Sequence, residues 1–235
     1  DMLENHEGFS HGVRSLLQSN ASWRQGILGT VAELFEVQSE YRTALEVALG
    51  GTMQNIICKT DTEAREGIAY LKNKKAGRVT FLPLTTLQMG SGSKEEALLS
   101  HTGCLGRASD FVKSPKEVEK AVQVLLYRTL VVDTMETALT IGKLSKFSTR
   151  IVTLQGEILR PGGSITGGST GKERESFWSR REELEKVTTS LATKEKEIST
   201  LSEQQMKLQN LYEAAQNNLD QFNHDIQEFR TKERV

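Results

Sequence analysis

The longest hydrophobic pattern in the chain is a seven-residue repeat that runs from residue 184 to residue 229. Its first apolar position holds Leu184, Leu191, Ile198, Gln205, Tyr212, Leu219 and Ile226. Its second holds Val187, Lys194, Leu201, Leu208, Ala215, Phe222 and Phe229. Twelve of these fourteen residues are apolar or aromatic, over more heptads than chance produces. The pattern predicts a long coiled-coil helix whose apolar stripe requires a partner.

Before this helix, short apolar runs alternate with amphipathic stretches, which predicts an α/β body. A helix–strand–helix–strand pattern recurs when the chain is aligned with itself at one constant offset. The two copies are predicted over 41–49, 55–58, 62–72 and 78–82, and over 115–127, 130–132, 134–144 and 150–154. This offset aligns Glu63 with Glu136, Ile68 with Ile141 and Val79 with Val152. We interpret the body as two similar halves, joined by a loop-rich stretch over 84–109.

Residues at the predicted helix ends support these boundaries. Gly50 and Gly51 have the position of C-cap glycines after the first helix. The pairs Thr60–Glu63 and Asp133–Glu136 both have the spacing of a capping box. Ser114 followed by Pro115 predicts an N-cap and a first helical residue.

Glycine and proline mark the boundary between the body and the long helix. All 19 glycines and all 3 prolines lie in residues 1–171, and residues 172–235 contain neither. Residues 1–11 are expected to be the end of an incoming helix, so the partner strand of the coiled coil would lie mostly outside this sequence. Because the chain begins with Asp1, we expect it to be part of a longer protein. The predicted domains are a stub over 1–11, a body over 12–171 with halves of about 12–84 and 110–171, and an outgoing arm over 172–235.

Composition narrows the classes of function. The chain carries 30 Lys and Arg against 31 Asp and Glu, which argues against a body that is basic over its whole surface. The sequence contains neither an apolar run long enough for a membrane helix nor a signal-peptide pattern. Cys58 and Cys104 are isolated, so we expect a reducing cytoplasm. Scattered histidines and the lack of a catalytic arrangement predict no enzyme activity, cofactor or metal in this segment.

The most distinctive local feature is a glycine-rich stretch over 156–169 that contains two Gly-Gly pairs. A phosphate-binding loop is disfavoured because Glu173 stands where a Ser or Thr would hold Mg²⁺. A nucleophile elbow fails because Ser164 is followed two residues later by Thr166 instead of glycine. The favoured interpretation is a strand whose missing side chains let another backbone approach closely.

Basic residues gather in two places. Lys72, Lys74 and Lys75, followed by Arg78, lie at the end of a predicted helix, where they either balance the helix dipole in solvent or contact phosphate. A second group lies where the body meets the arm and is interrupted by Glu173 and Glu175; it comprises Lys172, Arg174, Arg180 and Arg181. Phe177 and Trp178 are expected to pack where the arm leaves the body.

Several segments resemble the hinge of structural-maintenance-of-chromosomes (SMC) proteins, with the bacterial chromosome-partition type the most similar. They are GILGTVAELFEV at 26–37, YRTALEVALGG at 41–51, GRVTFLPL at 77–84, RIVTLQGEILRPGGSITGG at 150–168 and the coiled coil that follows. The resemblance covers about residues 8–171. It implies that two hinges associate into a ring-shaped homodimer through edge strands and a glycine-rich segment. The matching positions are Gly162, Gly163, Ser164, Gly167 and Gly168.

The resemblance also implies a biological role. A hinge of this kind would join two SMC arms for chromosome condensation and segregation in the cytoplasm, in association with the nucleoid. Its partners would be a second copy of the chain and weakly bound DNA at the junction of hinge and coil. ATPase heads would lie elsewhere in the full-length protein. In the alternative, binding of single- or double-stranded DNA at that junction is the main activity and dimerisation supports it.

Overall fold

A computed structural model describes residues 9–89, 96–168 and 177–232, without the side chains of residues 180, 181 and 228–232. The chain divides into two compact units, residues 1–180 and residues 181–235. Helices α1 to α8 are His11–Leu17, Val31–Leu34, Arg42–Leu49, Asp61–Lys74, Glu96–Leu99, Glu119–Leu126, Met135–Leu144 and Phe177–Lys232. Strands β1 to β10 are Ile27–Thr30, Glu36–Val37, Ile56–Cys58, Phe81–Pro83, Cys104–Arg107, Val112–Lys113, Thr129–Val132, Arg150–Thr153, Ile158–Leu159 and Ile165–Thr166.

The strands of the first unit form two sheets and a two-stranded ribbon. The smaller sheet has the order β1-β3-β4, in which β1 is antiparallel and β4 is parallel to β3. The larger sheet has the order β10-β9-β8-β7-β5, in which β5 is antiparallel and β8 is parallel to β7. Both sheets therefore contain the same three-strand arrangement. The larger sheet differs by an antiparallel hairpin, β9–β10, added beside β8.

This repeated arrangement confirms the predicted α/β body of two similar halves, with β1, β3 and β4 equivalent to β5, β7 and β8. Strands β1 and β5 even share a bulge beside a glycine with positive φ, Gly29 in the first half and Gly106 in the second. The halves meet at the ribbon, where Glu36 of β2 pairs with Lys113 of β6. Because these two residues occupy equivalent positions, an approximate twofold axis passes through their pair.

The single constant offset between the halves is wrong in detail. Strand pairing makes Gly29 equivalent to Gly106, Ile57 to Val131 and Leu82 to Val152, so the offset decreases along the chain. It decreases because the second half is shorter: α4 has 14 residues and α7 has 10. The short 3₁₀ helix Gly50–Gln54 also has no counterpart between α6 and β7. Val79 and Val152 are therefore not equivalent positions.

The helix ends confirm some of the predicted caps. The Thr60 hydroxyl accepts from the backbone N–H of Glu63, and the Glu63 carboxylate accepts from that of Thr60 at 2.8 Å, which together form a capping box. The hydroxyl also accepts from the N–H of Thr62. The prediction for α7 was wrong by one residue, because Thr134 is its N-cap and not Asp133. The cap at Ser114 was also wrong, since the 3₁₀ helix Lys116–Val118 precedes α6 and has no side-chain cap.

Buried side chains fill the body in three clusters. The first lies between the halves and brings α3 and α6 together through Leu45, Ala121 and Leu126. The second belongs to the first half, where Leu16 of α1 packs with Ile56 of β3. The third belongs to the second half and contains Leu130, Ile141, Ile151 and Leu159. Each half thus has its own core, and a shared core holds the two together.

Helix α8 continues through the second unit as one long helix, which confirms the prediction of a long helix after the body. The large side chains of its apolar stripe are mostly exposed in the described part of the chain; Leu191 retains 59% of its accessible surface, Ile198 66% and Leu208 67%. A stripe of this length and exposure is that of a coiled-coil strand without its partner helix.

Candidate assembly site

The glycine-rich stretch folds into the β9–β10 hairpin. Ile158 and Leu159 are buried and fix β9 against β8. The turn closes through two hydrogen bonds, in which the N–H of Arg160 donates to Ser164 O at 2.9 Å and the N–H of Gly163 donates to Arg160 O at 3.0 Å. Gly162 and Gly163 have φ values of 88° and 89°, a region that favours glycine. These two glycines are therefore required by the turn itself, a reason that the prediction of close backbone approach did not include.

Strand β10 is the outermost strand of the larger sheet, and its side chains are exposed. In an antiparallel pair, alternate residues direct their backbone N–H and C=O groups toward the partner strand. Residues 164 and 166 direct these groups toward β9, because the Arg160–Ser164 pair is hydrogen-bonded and Thr166 lies two residues further on. Ile165 and residue 167 therefore turn their backbone groups outward. Ile165 also exposes 51% of its surface, so the edge is both open and partly apolar.

The structure brings the five predicted interface residues together in this hairpin and the residues just after it. Gly162 and Gly168 are open, since an added Cβ would have no neighbour within 4 Å. A Cβ at Gly167 would lie 3.2 Å from Cγ of Glu157, a flexible side chain that could shift. Ser164 is exposed beside the turn. Among the described residues, nothing occupies the space next to Gly168, so another backbone could approach there.

The smaller sheet ends in a second open edge, formed by β4. The N–H of Ile56 donates to Thr80 O, and the N–H of Leu84 donates to Cys58 O, so the even-numbered residues around β4 face β3. Val79 and Phe81 consequently direct their backbone groups outward. The opposite edges of the two sheets, β1 and β5, each carry a bulge, a feature that discourages pairing with another strand. The two edges without a bulge are β4 and β10.

The predicted DNA-contacting residues are only partly described. Lys72, Lys74 and Lys75 are exposed around the C-terminal end of α4, and Arg78 is exposed just beyond it. None of these four side chains forms an ion pair within residues 9–89, 96–168 and 177–232. The segment lies against α1, since Nδ1 of His11 is 3.3 Å from the carbonyl oxygen of Ala76. Lys172 and Arg174 lie outside the described residues, as do the side chains of Arg180 and Arg181.

An aromatic cluster fixes the first turn of α8 to the body. The Trp178 indole is 5% exposed, and its Nε1–H donates to the carbonyl oxygen of Ala32 at 3.1 Å. The rings of Phe177 and Phe9 lie 5.0 Å apart between centroids. These contacts agree with the expected packing of Phe177 and Trp178 at the end of the body, although the sequence did not indicate Ala32 and Phe9 as their partners.

Hydrogen bonds and burial set the unusual pKa values. A hydrogen bond from the Thr60 hydroxyl lowers the pKa of Glu63, and one from Thr137 lowers the pKa of Asp133. Burial raises the pKa of the Cys58 thiol to about 12, with a further rise from the nearby Glu63 charge. Burial likewise raises the pKa of Cys104. Both thiols are protonated at neutral pH and are poor nucleophiles.

The described residues offer little else that could carry chemistry. They contain no group of three or more His, Cys, Asp or Glu side chains placed to hold a metal ion. Among these same residues, no helix combines the length and apolar character needed to cross a membrane. The features that stand out are two open sheet edges and an uncovered helix stripe, all of which are surfaces for association.

A duplicated α/β body with open strand edges, followed by a long coiled-coil helix, is typical of a protein module that associates with other chains. Residues 24–142 match the family model of the SMC proteins flexible hinge domain, and the chain belongs to this family. This domain is not a catalytic one. The match confirms the resemblance found in the sequence.

Individual relatives agree with the family match. The chain is 38% identical over 214 residues to the chromosome partition protein Smc of Bacillus subtilis, covering 88% of this chain and 18% of that protein. The solved asymmetric dimer of the Geobacillus stearothermophilus SMC hinge domain is 34% identical, with a TM-score of 0.73 and coverage of 86% of this chain and 81% of that one. The Pyrococcus furiosus SMC hinge domain is 31% identical, with a TM-score of 0.56 and coverage of 73% and 92%. The chain spans 15–18% of the length of the first Smc relatives.

Proposed function

We propose that this hinge joins two copies of the chain into a homodimer and so connects two SMC arms. The Geobacillus stearothermophilus relative forms a dimer, and the relatives from several bacteria are chromosome partition proteins. Chromosome condensation and segregation, with the protein at the nucleoid, are the role that this likeness supports. The ATP hydrolysis implied by the resemblance belongs to head domains of the longer protein.

The observation that carries the proposal is the pair of open edges in two equivalent sheets. In the second half, β8 has an antiparallel strand, β9, at its outer side. In the first half, β4 is the equivalent of β8, and its outer side is vacant among the described strands. The internal duplication therefore provides a template: the edge of β4 can accept an antiparallel strand as β8 does. Strand β10 of a second copy is an exposed strand that can fill this position.

This pairing forms a closed dimer. Strand β10 of each copy meets β4 of the other, so one twofold operation generates two identical contacts and leaves neither edge open. A closed dimer leaves no unpaired edge that could recruit further chains. The exposed Ile165 side chain would also be covered in each contact.

A cross-linking experiment tests the pairing. In a background of Cys58→Ala and Cys104→Ala, the double variant Thr80→Cys/Thr166→Cys places one thiol near each open edge. A short bis-maleimide reagent should yield a covalent dimer from the double variant, because the twofold arrangement brings unlike edges together. Each single variant is the matched control and should remain uncoupled. Equal yields from a single variant would contradict the pairing of β10 with β4.

A second candidate function is nucleic-acid binding at the Lys72–Arg78 segment. The observation that favours it is a run of four exposed cationic side chains without an ion pair in the described ranges, at the side of the body where α1 begins. Such side chains neutralise phosphates and release counterions. The basic group at 172–181 would add further weak phosphate contacts.

Charge reversal tests this activity. Lys72→Glu/Lys74→Glu should weaken binding to a single- or double-stranded oligonucleotide and reduce the slope of log K against log salt by about two. Lys116→Glu/Lys143→Glu is a control with the same charge change at two other exposed lysines of the body. An unchanged slope in the first variant would show that these lysines do not contact the phosphates. Tight binding by a monomeric protein would instead make DNA binding the main activity.

A further inference from the structure

The loop between α7 and β8 adopts an unusual backbone next to the hairpin turn. Lys146 and Phe147 have φ values of 54° and 53°, so two successive non-glycine residues are left-handed. Such conformations cost free energy and persist where surrounding contacts enforce them. The equivalent loop after α4 contains only one such residue among those described, Lys75, and the sheet of that half has no hairpin beside it in the same described part. The second left-handed residue therefore coincides with the presence of the hairpin.

Phe147 is the residue through which this loop contacts the hairpin turn. Its carbonyl oxygen accepts from the N–H of Gly162 at 2.8 Å, and its own N–H donates to Gly142 O at 2.7 Å. Its half-buried ring packs with the core of the second half, and a Cβ at Gly163 would lie 3.7 Å from it. The ring is held at the end of α7 and thus positions the Phe147 carbonyl, which holds the hairpin turn through Gly162.

The turn and β10 require such support because, unlike the buried strand β9, they have few contacts of their own. Strand β10 is two residues long and, among the described strands, pairs only with β9. Within the hairpin, Arg160 Nη1 donates to Thr166 Oγ1 at 2.7 Å, but both side chains are exposed. The contact with Phe147 ties the turn to the buried part of the body.

We infer that Phe147 is a positioning residue for assembly: it holds the Gly162–Gly163 turn so that β10 is ordered before a second copy docks. This inference rests on the proposed dimerisation through β10. An edge that is already ordered binds with a smaller entropy cost than one that must be ordered on binding. Because a closed dimer contains two such edges, loss of the contact acts twice on its affinity.

The test compares Phe147→Gly with Lys146→Gly in the full chain. Both changes relieve one left-handed residue, but only the first removes the ring. For Phe147→Gly we expect the dimer Kd to rise roughly tenfold for each contact, or about a hundredfold in all. Lys146→Gly should keep the wild-type Kd. Amide hydrogen exchange should accelerate at Gly162 in the first variant while Val131, in the sheet core, retains its protection.

The outcomes separate this inference from the proposed function. If the wild type is a dimer and Phe147→Gly accelerates exchange at Gly162 without changing the dimer Kd, the positioning role alone is overturned. Equal acceleration at Gly162 and Val131 would show that Phe147 is merely a core residue and would also overturn it. If Phe147→Gly does not fold, Phe147→Leu replaces it, since it shortens the side chain but keeps an apolar group. A monomeric wild type overturns dimerisation and the positioning role together.

Discussion

At the scale of single residues, equivalent helices in the two halves begin with different caps. Thr60 shares a reciprocal capping box with Glu63, whereas Thr134 caps α7 without an acidic residue at the third helical position. The Thr60 hydroxyl also holds the pKa of Glu63 below its ordinary value. A folded-state pKa that is lowered contributes stability above the ordinary pKa, and this contribution disappears as pH falls.

Thr60→Ala should therefore destabilise the protein by about 1 kcal/mol at neutral pH, because it removes the cap and the hydrogen bond to Glu63. The variant should also lose less stability than the wild type between neutral and acidic pH. Urea unfolding at several pH values measures both effects. The matched control is Thr60→Ala in a Glu63→Gln background, where the cap is lost but no carboxyl is present at residue 63; an equal change of pH dependence in that background would contradict the assignment.

Cys58 gives a prediction at alkaline pH. Burial raises its pKa from 9.0 to about 12 in the folded protein, so the unfolded chain ionises first. The corresponding stability is present below the ordinary thiol pKa and is lost as pH rises through the folded-state pKa. Cys58→Ala should consequently show a smaller decrease in the free energy of unfolding over this range than the wild type. The free energy of unfolding is measured by denaturant titration at several alkaline pH values. An identical decrease with pH in the variant and the wild type would indicate that the thiol is less buried than in this structure.

At the scale of elements, the hydrophobic pattern predicted the α/β arrangement well but missed β1, β5 and the β2–β6 ribbon. Amphipathic periodicity identified α3, α4, α6 and α7 because each buries one face. Strand β5 was assigned to a loop because it contains Gly106 and is bulged, which weakens the apolar alternation. Alignment of Leu28-Gly29 with Leu105-Gly106 would have indicated that both halves contain this additional strand.

The glycine stretch was identified as a strand with unusual backbone access, but its two glycine pairs differ in a way that spacing does not encode. The first pair supplies positive φ to a turn, and the second pair lies just after the open edge. The Phe147 contact could not be predicted either, because a left-handed phenylalanine follows from tertiary packing and not from local preference.

Substitution of the second pair tests the role of this element. Gly167→Leu/Gly168→Leu should leave the far-ultraviolet circular dichroism close to wild type while the protein becomes mostly monomeric, because the added side chains obstruct an approaching strand. Gly50→Leu/Gly51→Leu is the control, because it adds two leucines at another open pair, after α3, that also contains a glycine with positive φ. Light scattering measures the mass. A dimer that survives the double substitution would show that the approach does not occur at these glycines.

At the scale of the whole molecule, the chain has two separate means of association. The body presents the open edges of β4 and β10, and α8 presents an exposed apolar stripe in the described part of the arm. The heptad pattern predicted the stripe directly, since its signal is carried by spacing alone. The pairing of open edges could not be predicted in this way, because it depends on which strands lie outermost in each sheet.

Association through the sheet edges and association through α8 must be distinguished when the mass is measured. Leu201→Asp/Leu208→Asp places charges on the stripe of α8 and leaves the sheet edges unchanged. If the body dimerises as proposed, this variant should retain a dimer and lose only association through the helix. A monomer would instead assign the dimer to α8.

Sedimentation equilibrium of Ile165→Pro beside Ile165→Val, each made in the Leu201→Asp/Leu208→Asp background that blocks association through α8, tests the central claim most directly. Proline removes the outward backbone N–H of β10 and is tolerated on an edge strand, whereas valine keeps it. The chain has a mass of 26.2 kDa, and a dimer has twice this mass. We expect the Leu201→Asp/Leu208→Asp parent and its Ile165→Val derivative to sediment as dimers, and the Ile165→Pro derivative as a folded monomer, at micromolar concentration. A species of twice the chain mass for Ile165→Pro, or a monomeric parent, would contradict dimerisation through this edge.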